Sequence, residues 1–182
     1  LDDTLLRDDI SISDYTKDIL QKALQKGVKI VIATGRMFQA ARPWGKAIGL
    51  GDVPMICYTG SMTGLCESGK LLRDERIDLD TACAILETIK NHGWYAQTYI
   101  DDELYVDTRN EWTSNYEKQC AVKAHEVGED FYHPKRAPTK ILVCEYDEEK
   151  MKTIEKVLKD TYSAVVNQVK SKPFFFEMNS KE

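Results

Sequence analysis

Two short runs carry residue types that can handle phosphate. The first, Asp2-Asp3-Thr4, packs two carboxylates and a hydroxyl into three positions. The second, Thr34-Gly35-Arg36, sets a hydroxyl, an unhindered backbone and a guanidinium in a row. Phosphoryl transfer needs a nucleophile, a proton donor for the leaving oxygen and positive charge near the equatorial oxygens. The Thr34 hydroxyl can donate to an anion, and the Gly35 N–H can assist, because such turns aim donors at negative charge. Arg36 can hold either an anion or a neighbouring acid. Each run also has an ordinary reading, a polar turn for the first and a helix cap for the second.

The elements around these runs must position them. Residues 28–33 read Val-Lys-Ile-Val-Ile-Ala, a short apolar strand of the kind buried in parallel sheets, and Thr34 follows directly. Upstream, Ser13 is an N-cap candidate, Ile19, Leu20, Ala23 and Leu24 share one helical face, and Gly27 is a natural stop. Downstream, residues 37–50 read as helix, with Pro43 bending it or delaying its start. Residues 54–58 form a second buried strand that ends in Thr59-Gly60. This alternation predicts right-handed βαβ crossovers and a parallel sheet. Ligands bind beyond the carboxyl ends of such strands, which is where Thr34, Thr59 and Gly60 fall. Asp2 joins them if a strand precedes Leu1, and the abrupt start leads to that expectation.

After Gly60 the pattern changes. Residues 63–66 and 70–76 flank Glu67-Ser68-Gly69 as a hairpin, and residues 79–92 read as helix. A second hairpin, 94–100 and 103–106, turns at Asp101-Asp102. Helices follow at 111–123 and 147–159, with strands at 140–146, 162–169 and 173–178. Mixed hairpins and helices predict an α+β module on an antiparallel sheet. The expected division is a core over 1–77, an α+β module over 78–172 and a returning strand over 173–182. Trp94, Tyr95, Tyr99 and Tyr105 are expected to pack that sheet against its helices.

Composition narrows the function classes. The 182 residues carry a formal charge of −5, whereas a general nucleic-acid binder is usually basic. The densest basic cluster is His133-Pro134-Lys135-Arg136, with Lys140 nearby; it reads as a solvated loop, with anion contact the alternative. No apolar run approaches the roughly 20 residues that span a bilayer. Five cysteines without a C-x-x-C pair suggest a reducing cytoplasm and not a disulfide framework. His92, His125 and His133 lack the spacing of zinc ligands.

Asp2-Asp3-Thr4-Leu5-Leu6 resembles the end of the D-x-D-x-T-L-L motif of the haloacid dehalogenase-like superfamily, and Ile32-Ala33-Thr34-Gly35-Arg36 resembles its second motif. A hairpin followed by an α+β module is similar to the Cof-like phosphatases with a type IIB cap. The resemblance covers essentially the whole chain. It implies an α/β fold, with a partial Rossmann-like parallel-sheet core and an inserted α+β cap. Aligned on Thr4, Asp2 takes the acid/base position, and Asp3 takes a position commonly glycine. The nucleophilic aspartate would be the residue before Leu1. Thr34 and Gly35 take phosphate-binding positions, and Arg36, Thr59 and Gly60 are possible substrate contacts. Relatives usually carry Asn-Gly-Ala where Thr59-Gly60-Ser61 stands.

The implied activity is a Mg²⁺-dependent phosphatase that hydrolyses small phosphorylated metabolites, sugar phosphates among them, through an aspartyl-phosphate. The alternative is a non-catalytic phospholigand-binding or regulatory protein that keeps the fold. Mg²⁺ would take the Asp2 main-chain carbonyl, with its other ligands outside the chain. Lys181 is read as a loop lysine, not the family's catalytic one. The chain as given is therefore expected to be inactive, truncated at both ends of its core. The expected partner is a small phosphorylated metabolite, without nucleic acid or membrane, acting as a monomer or weak dimer in the cytoplasm.

Overall fold

The computed structural model describes residues 1–181. They fall into two compact units, the first Leu1–Asp74 and the second from Glu75 onward.

In the first unit, the Leu1 carbonyl accepts from the N–H groups of both Leu5 and Leu6 at 3.0 Å, closing a tight opening turn. Helix α1 spans Asp14–Gln25; the Ser13 hydroxyl caps it by accepting from the Thr16 N–H at 3.0 Å. Gly27 leaves it at φ +81°, a conformation glycine adopts without a Cβ clash. Its expected apolar face is not buried: Ile19 is 44% exposed and no α1 residue is buried. Helix α2, Phe38–Ala47, accommodates Pro43 in its interior.

The expected strand at 28–33 is reduced to a single parallel bridge, Ala33 to Ile56. Two hydrogen bonds define it: the Ile56 N–H to the Ile32 carbonyl at 2.8 Å, and the Thr34 N–H to the Ile56 carbonyl at 2.9 Å. Parallel strands extend when both sheet faces are covered. Here Val28 and Val31 are about half exposed, so little apolar burial favours a longer ladder. The sheet that does form is antiparallel: β1 (Pro54–Cys57), β2 (Met62–Leu65) and β3 (Leu71–Asp74). Gly64 in β2 is fixed by packing. A Cβ there would meet three ring carbons of buried Phe38 at 2.5–2.9 Å.

The second unit is a six-stranded sheet in the order β6-β5-β4-β7-β9-β8. Its elements are α3 (Leu79–Asn91), β4 (Ala96–Ile100), β5 (Glu103–Val106), α4 (Glu111–Cys120), β6 (Ala124–Glu126), β7 (Lys140–Cys144), α5 (Glu148–Tyr162), β8 (Val166–Lys172) and β9 (Phe175–Ser180). Every pairing is antiparallel except β5 with β6. The three residues of β6 carry too short a pattern to read from sequence. Asp101 and Asp102 turn the β4–β5 hairpin with φ of 52° and 62°, as a two-residue primed turn requires. The segment 173–182, expected to return to the core, contributes β9, which pairs with both β7 and β8 inside this unit.

Period-two alternation separates the two sheet faces. Ala96, Ile141, Val143, Phe176 and Met178 join the α3 residues Ile85, Leu86 and Ile89 and the α5 residues Met151, Ile154 and Leu158 in one core. On the opposite face, Tyr99 lies 5.8 Å from Tyr116 of α4. Buried Gln97 donates to the Tyr95 hydroxyl and accepts from that of Tyr99, both at 3.1 Å. Burial raises the Tyr95 phenol to about 12. The aromatics at 94, 95 and 99 thus pack this sheet, while Tyr105 stands at a cavity described below. All five cysteines are free, and burial pushes the Cys144 thiol far up.

Candidate active site

The first unit brings the two phosphate-type runs together. Arg36, 6% exposed, reaches across to Asp2. Its Nε lies 3.1 and 2.9 Å from the two carboxylate oxygens, and its Nη2 lies 2.6 Å from Oδ1. This is a two-pronged, charge-assisted clamp on a half-buried aspartate. The sequence left Arg36 free to take an anion or an acid; in this structure it takes the acid.

The opening turn sets the Asp2 backbone. The Thr4 hydroxyl donates to the Asp2 carbonyl at 2.8 Å. Asp3 sits between them at φ +55° and is exposed. A left-handed residue is needed there, which explains why a glycine would suit the position and why Asp3 plays no part in the clamp.

Thr34 anchors the second run on both sides. Its Oγ1 accepts from the Arg36 N–H at 3.2 Å, so Arg36 is oriented by the turn that precedes it. Its carbonyl accepts from the Thr59 N–H at 3.2 Å, and the Arg36 carbonyl accepts from the Tyr58 N–H at 3.0 Å. Backbone bonds thus join Thr34 and Arg36 to Thr59 and Tyr58, Gly35 and Gly60 sit next to them in the two turns, and Arg36 ties Asp2 to this cluster. Gly35 is exposed. Tyr58 and Thr59 both hold positive φ, 51° and 57°, before Gly60 at 107°. Two adjacent non-glycine residues in that region are strained, and such strain clusters at functional sites. Sequence reading saw Thr59-Gly60 but not Tyr58, because its role is carried by the backbone; only Gly60 hinted at a forced turn.

Among the described residues, no three His, Cys, Asp or Glu side chains gather as a metal site. Arg36 engages both Asp2 carboxylate oxygens, and the Asp2 carbonyl already accepts from Thr4. Mg²⁺ wants an octahedral set of oxygens. This stretch does not supply one by itself.

A family profile for haloacid dehalogenase-like hydrolases matches residues 1–182. The chain belongs to this family. It is 27% identical over 107 residues to a pyridoxal phosphate phosphatase of Escherichia coli, covering 59% of this chain and 39% of that enzyme. A crystal structure from Thermotoga maritima superposes with a TM-score of 0.83 at 29% identity, over 100% of this chain and 67% of that one. A haloacid dehalogenase subclass IIB sugar phosphatase superposes at 0.78 with 19% identity, over 100% and 68%, which supports the fold. The match thus spans about two fifths of the length of curated relatives such as the E. coli enzyme. Within this family framework the α/β class stands, and the α+β unit is the counterpart of a cap. No helix of the described residues is long and apolar enough to cross a membrane.

Proposed function

We propose that the whole protein is a phosphoric monoester hydrolase acting on small phosphorylated metabolites, sugar phosphates among them. One observation carries the reading: Asp2, Thr34, Arg36 and the Tyr58–Gly60 turn form a single bonded cluster, joined by the Arg36–Asp2 clamp. Similarity to a family whose members include named phosphatases supports it.

The chemistry assigned to each residue follows from its place. Thr34 and the Gly35 N–H receive the phosphoryl oxygens. Arg36 exchanges one partner for another, since a phosphate dianion competes with Asp2 for the same guanidinium fork. Release from Arg36 frees the Asp2 carboxyl to carry a proton to the leaving oxygen and later to take one from water. Thr59 and Gly60 border the cluster as possible substrate contacts. The attacking aspartate and the resulting aspartyl-phosphate belong to the proposal for the whole protein. So does Mg²⁺, which the Asp2 main-chain carbonyl would help to hold and which would offset the negative charge of the phosphate. The stretch 1–182 is then expected to bind phosphate without turnover, in a reducing compartment where its thiols stay free.

The test uses the full-length protein with p-nitrophenyl phosphate and Mg²⁺. EDTA-sensitive hydrolysis is expected, and Asp2→Asn should lower kcat by 10²–10⁴-fold, the usual worth of a positioned acid/base, at about the same fold state. Thr34→Val should raise KM for phosphomonoesters. Hydrolysis that survives Asp2→Asn sinks the assignment of Asp2. Saturable phosphate binding without hydrolysis would replace the enzyme with a non-catalytic phospholigand-binding protein.

A further inference from the structure

The second unit contains a cavity of about 230 Å³ that plays no part in the chemistry above. Ile100, Phe131 and Tyr105 supply apolar and aromatic wall, while His133, Lys135 and Arg136 supply the basic part. The basic run that the sequence reads as a solvated loop, with anion contact the alternative, lies on this concave surface. The segment that carries it is well fixed. The Val127 N–H donates to the Val106 carbonyl at 3.0 Å, and the Gly128 N–H to that of Asp107 at 2.9 Å. The Tyr132 hydroxyl donates to the Asp107 carboxylate at 3.0 Å, and Lys90 pairs with Glu129 at 2.6 Å. A wall held this way is preorganised for a ligand.

We infer that this cavity binds a small aromatic anion, a single ring bearing one carboxylate or phosphate. Tyr105 is a ready stacking surface: His125 stacks on its ring at 4.9 Å and 27°, and Glu103 steadies His125 at 3.3 Å. A planar ligand therefore meets an aromatic that loses little freedom on binding. Arg136 pairs with Asp101 and lies 3.4 Å from the Tyr105 hydroxyl. Asp101 also pairs with Arg76 at 2.7 Å, so one carboxylate is shared by two guanidiniums. The lining holds one acid, Asp130, against Lys135, Arg136 and the titratable His133. That balance favours an anion over a cation, and the ring-bearing wall favours an aryl group over bare phosphate.

Saturation-transfer NMR and calorimetry on the chain distinguish the outcomes, with benzoate, phenyl phosphate and inorganic phosphate as probes. The two aryl anions should saturate a single site, with inorganic phosphate at least tenfold weaker there. Lys135→Glu, at an exposed position where folding is checked by circular dichroism, should weaken both aryl probes about tenfold or more, the size of one charge-assisted contact. Lys135→Arg should retain binding, and Tyr105→Ala should weaken benzoate and phenyl phosphate alike. Thr34→Val should leave benzoate binding unchanged, which separates this cavity from the phosphate cluster. No saturation by either aryl anion below about 10 mM overturns the inference. So does binding that follows Thr34 and ignores Lys135, or binding in which inorganic phosphate matches the aryl probes.

Discussion

The pair Lys140–Glu177 in the second unit offers the sharpest energetic test. Lys140 on β7 and Glu177 on β9 lie on the sheet face opposite α3 and α5, with Nζ to Oε2 at 3.4 Å. Their side chains are 2% and 7% exposed. Lys140 also sits 4.7 Å from the Tyr99 ring centroid, and the Ser171 hydroxyl donates to Glu177 at 2.5 Å. Removing one partner leaves the other charge without water, a loss of about 3–5 kcal/mol. For a chain of this size that corresponds to about 6–20 °C in Tm. Lys140→Met and Glu177→Leu should each show this loss. The double variant should recover most of it, because both desolvated charges are gone together. Urea and thermal unfolding, followed by fluorescence in a Trp44→Phe background, report the second unit through Trp94 and Trp112. A double variant as unstable as the sum of the singles would refute the reasoning, as would singles that cost under about 1 kcal/mol, the range of a solvated pair.

Gly64→Ala should destabilise the first unit by about 1–3 kcal/mol through overpacking against Phe38, and Phe38→Leu in the same chain should restore part of it, as read by denaturant midpoint. The backbone N–H groups of Ser68, Thr81 and Lys150 hold the carboxyls of Asp52, Asp78 and Asp147 below their ordinary 3.8. Depressed carboxylates stabilise the fold above the unfolded pKa and lose that contribution as pH falls through the folded one. Tm should therefore change little on these groups' account between neutral pH and about pH 5 and drop toward about pH 3, with a shallower drop in Asp78→Ala/Asp147→Ala.

Much of the second unit was legible because local signals agreed. The Asp101-Asp102 turn and the helices read over 79–92 and 147–159, which form as Leu79–Asn91 and Glu148–Tyr162, rest on short-range features. Elements whose existence rests on distant partners were not. Strand β6 has three residues and forms only because β5 lies beside it in parallel. The apolar run at 28–33 has strand composition, yet extended pairing depends on covered faces, and it shortens to one bridge.

The sequence by itself determined the residue types and their order: two acids and a threonine at the start, Thr-Gly-Arg after an apolar run, and Thr-Gly after the next. Spacing along the chain is enough to place hydroxyls and glycines directly after two apolar runs, which the fold joins by a single parallel bridge. Tertiary structure alone decided which charges meet. Asp2 and Arg36 are 34 positions apart, and only folding brings the guanidinium onto both carboxylate oxygens. The same holds for Lys135 and Arg136, which become the wall of a cavity because β4, β5 and the 127–136 segment close around it. Electrostatic partnership depends on distance and burial in space, and neither is written in the local pattern of the chain.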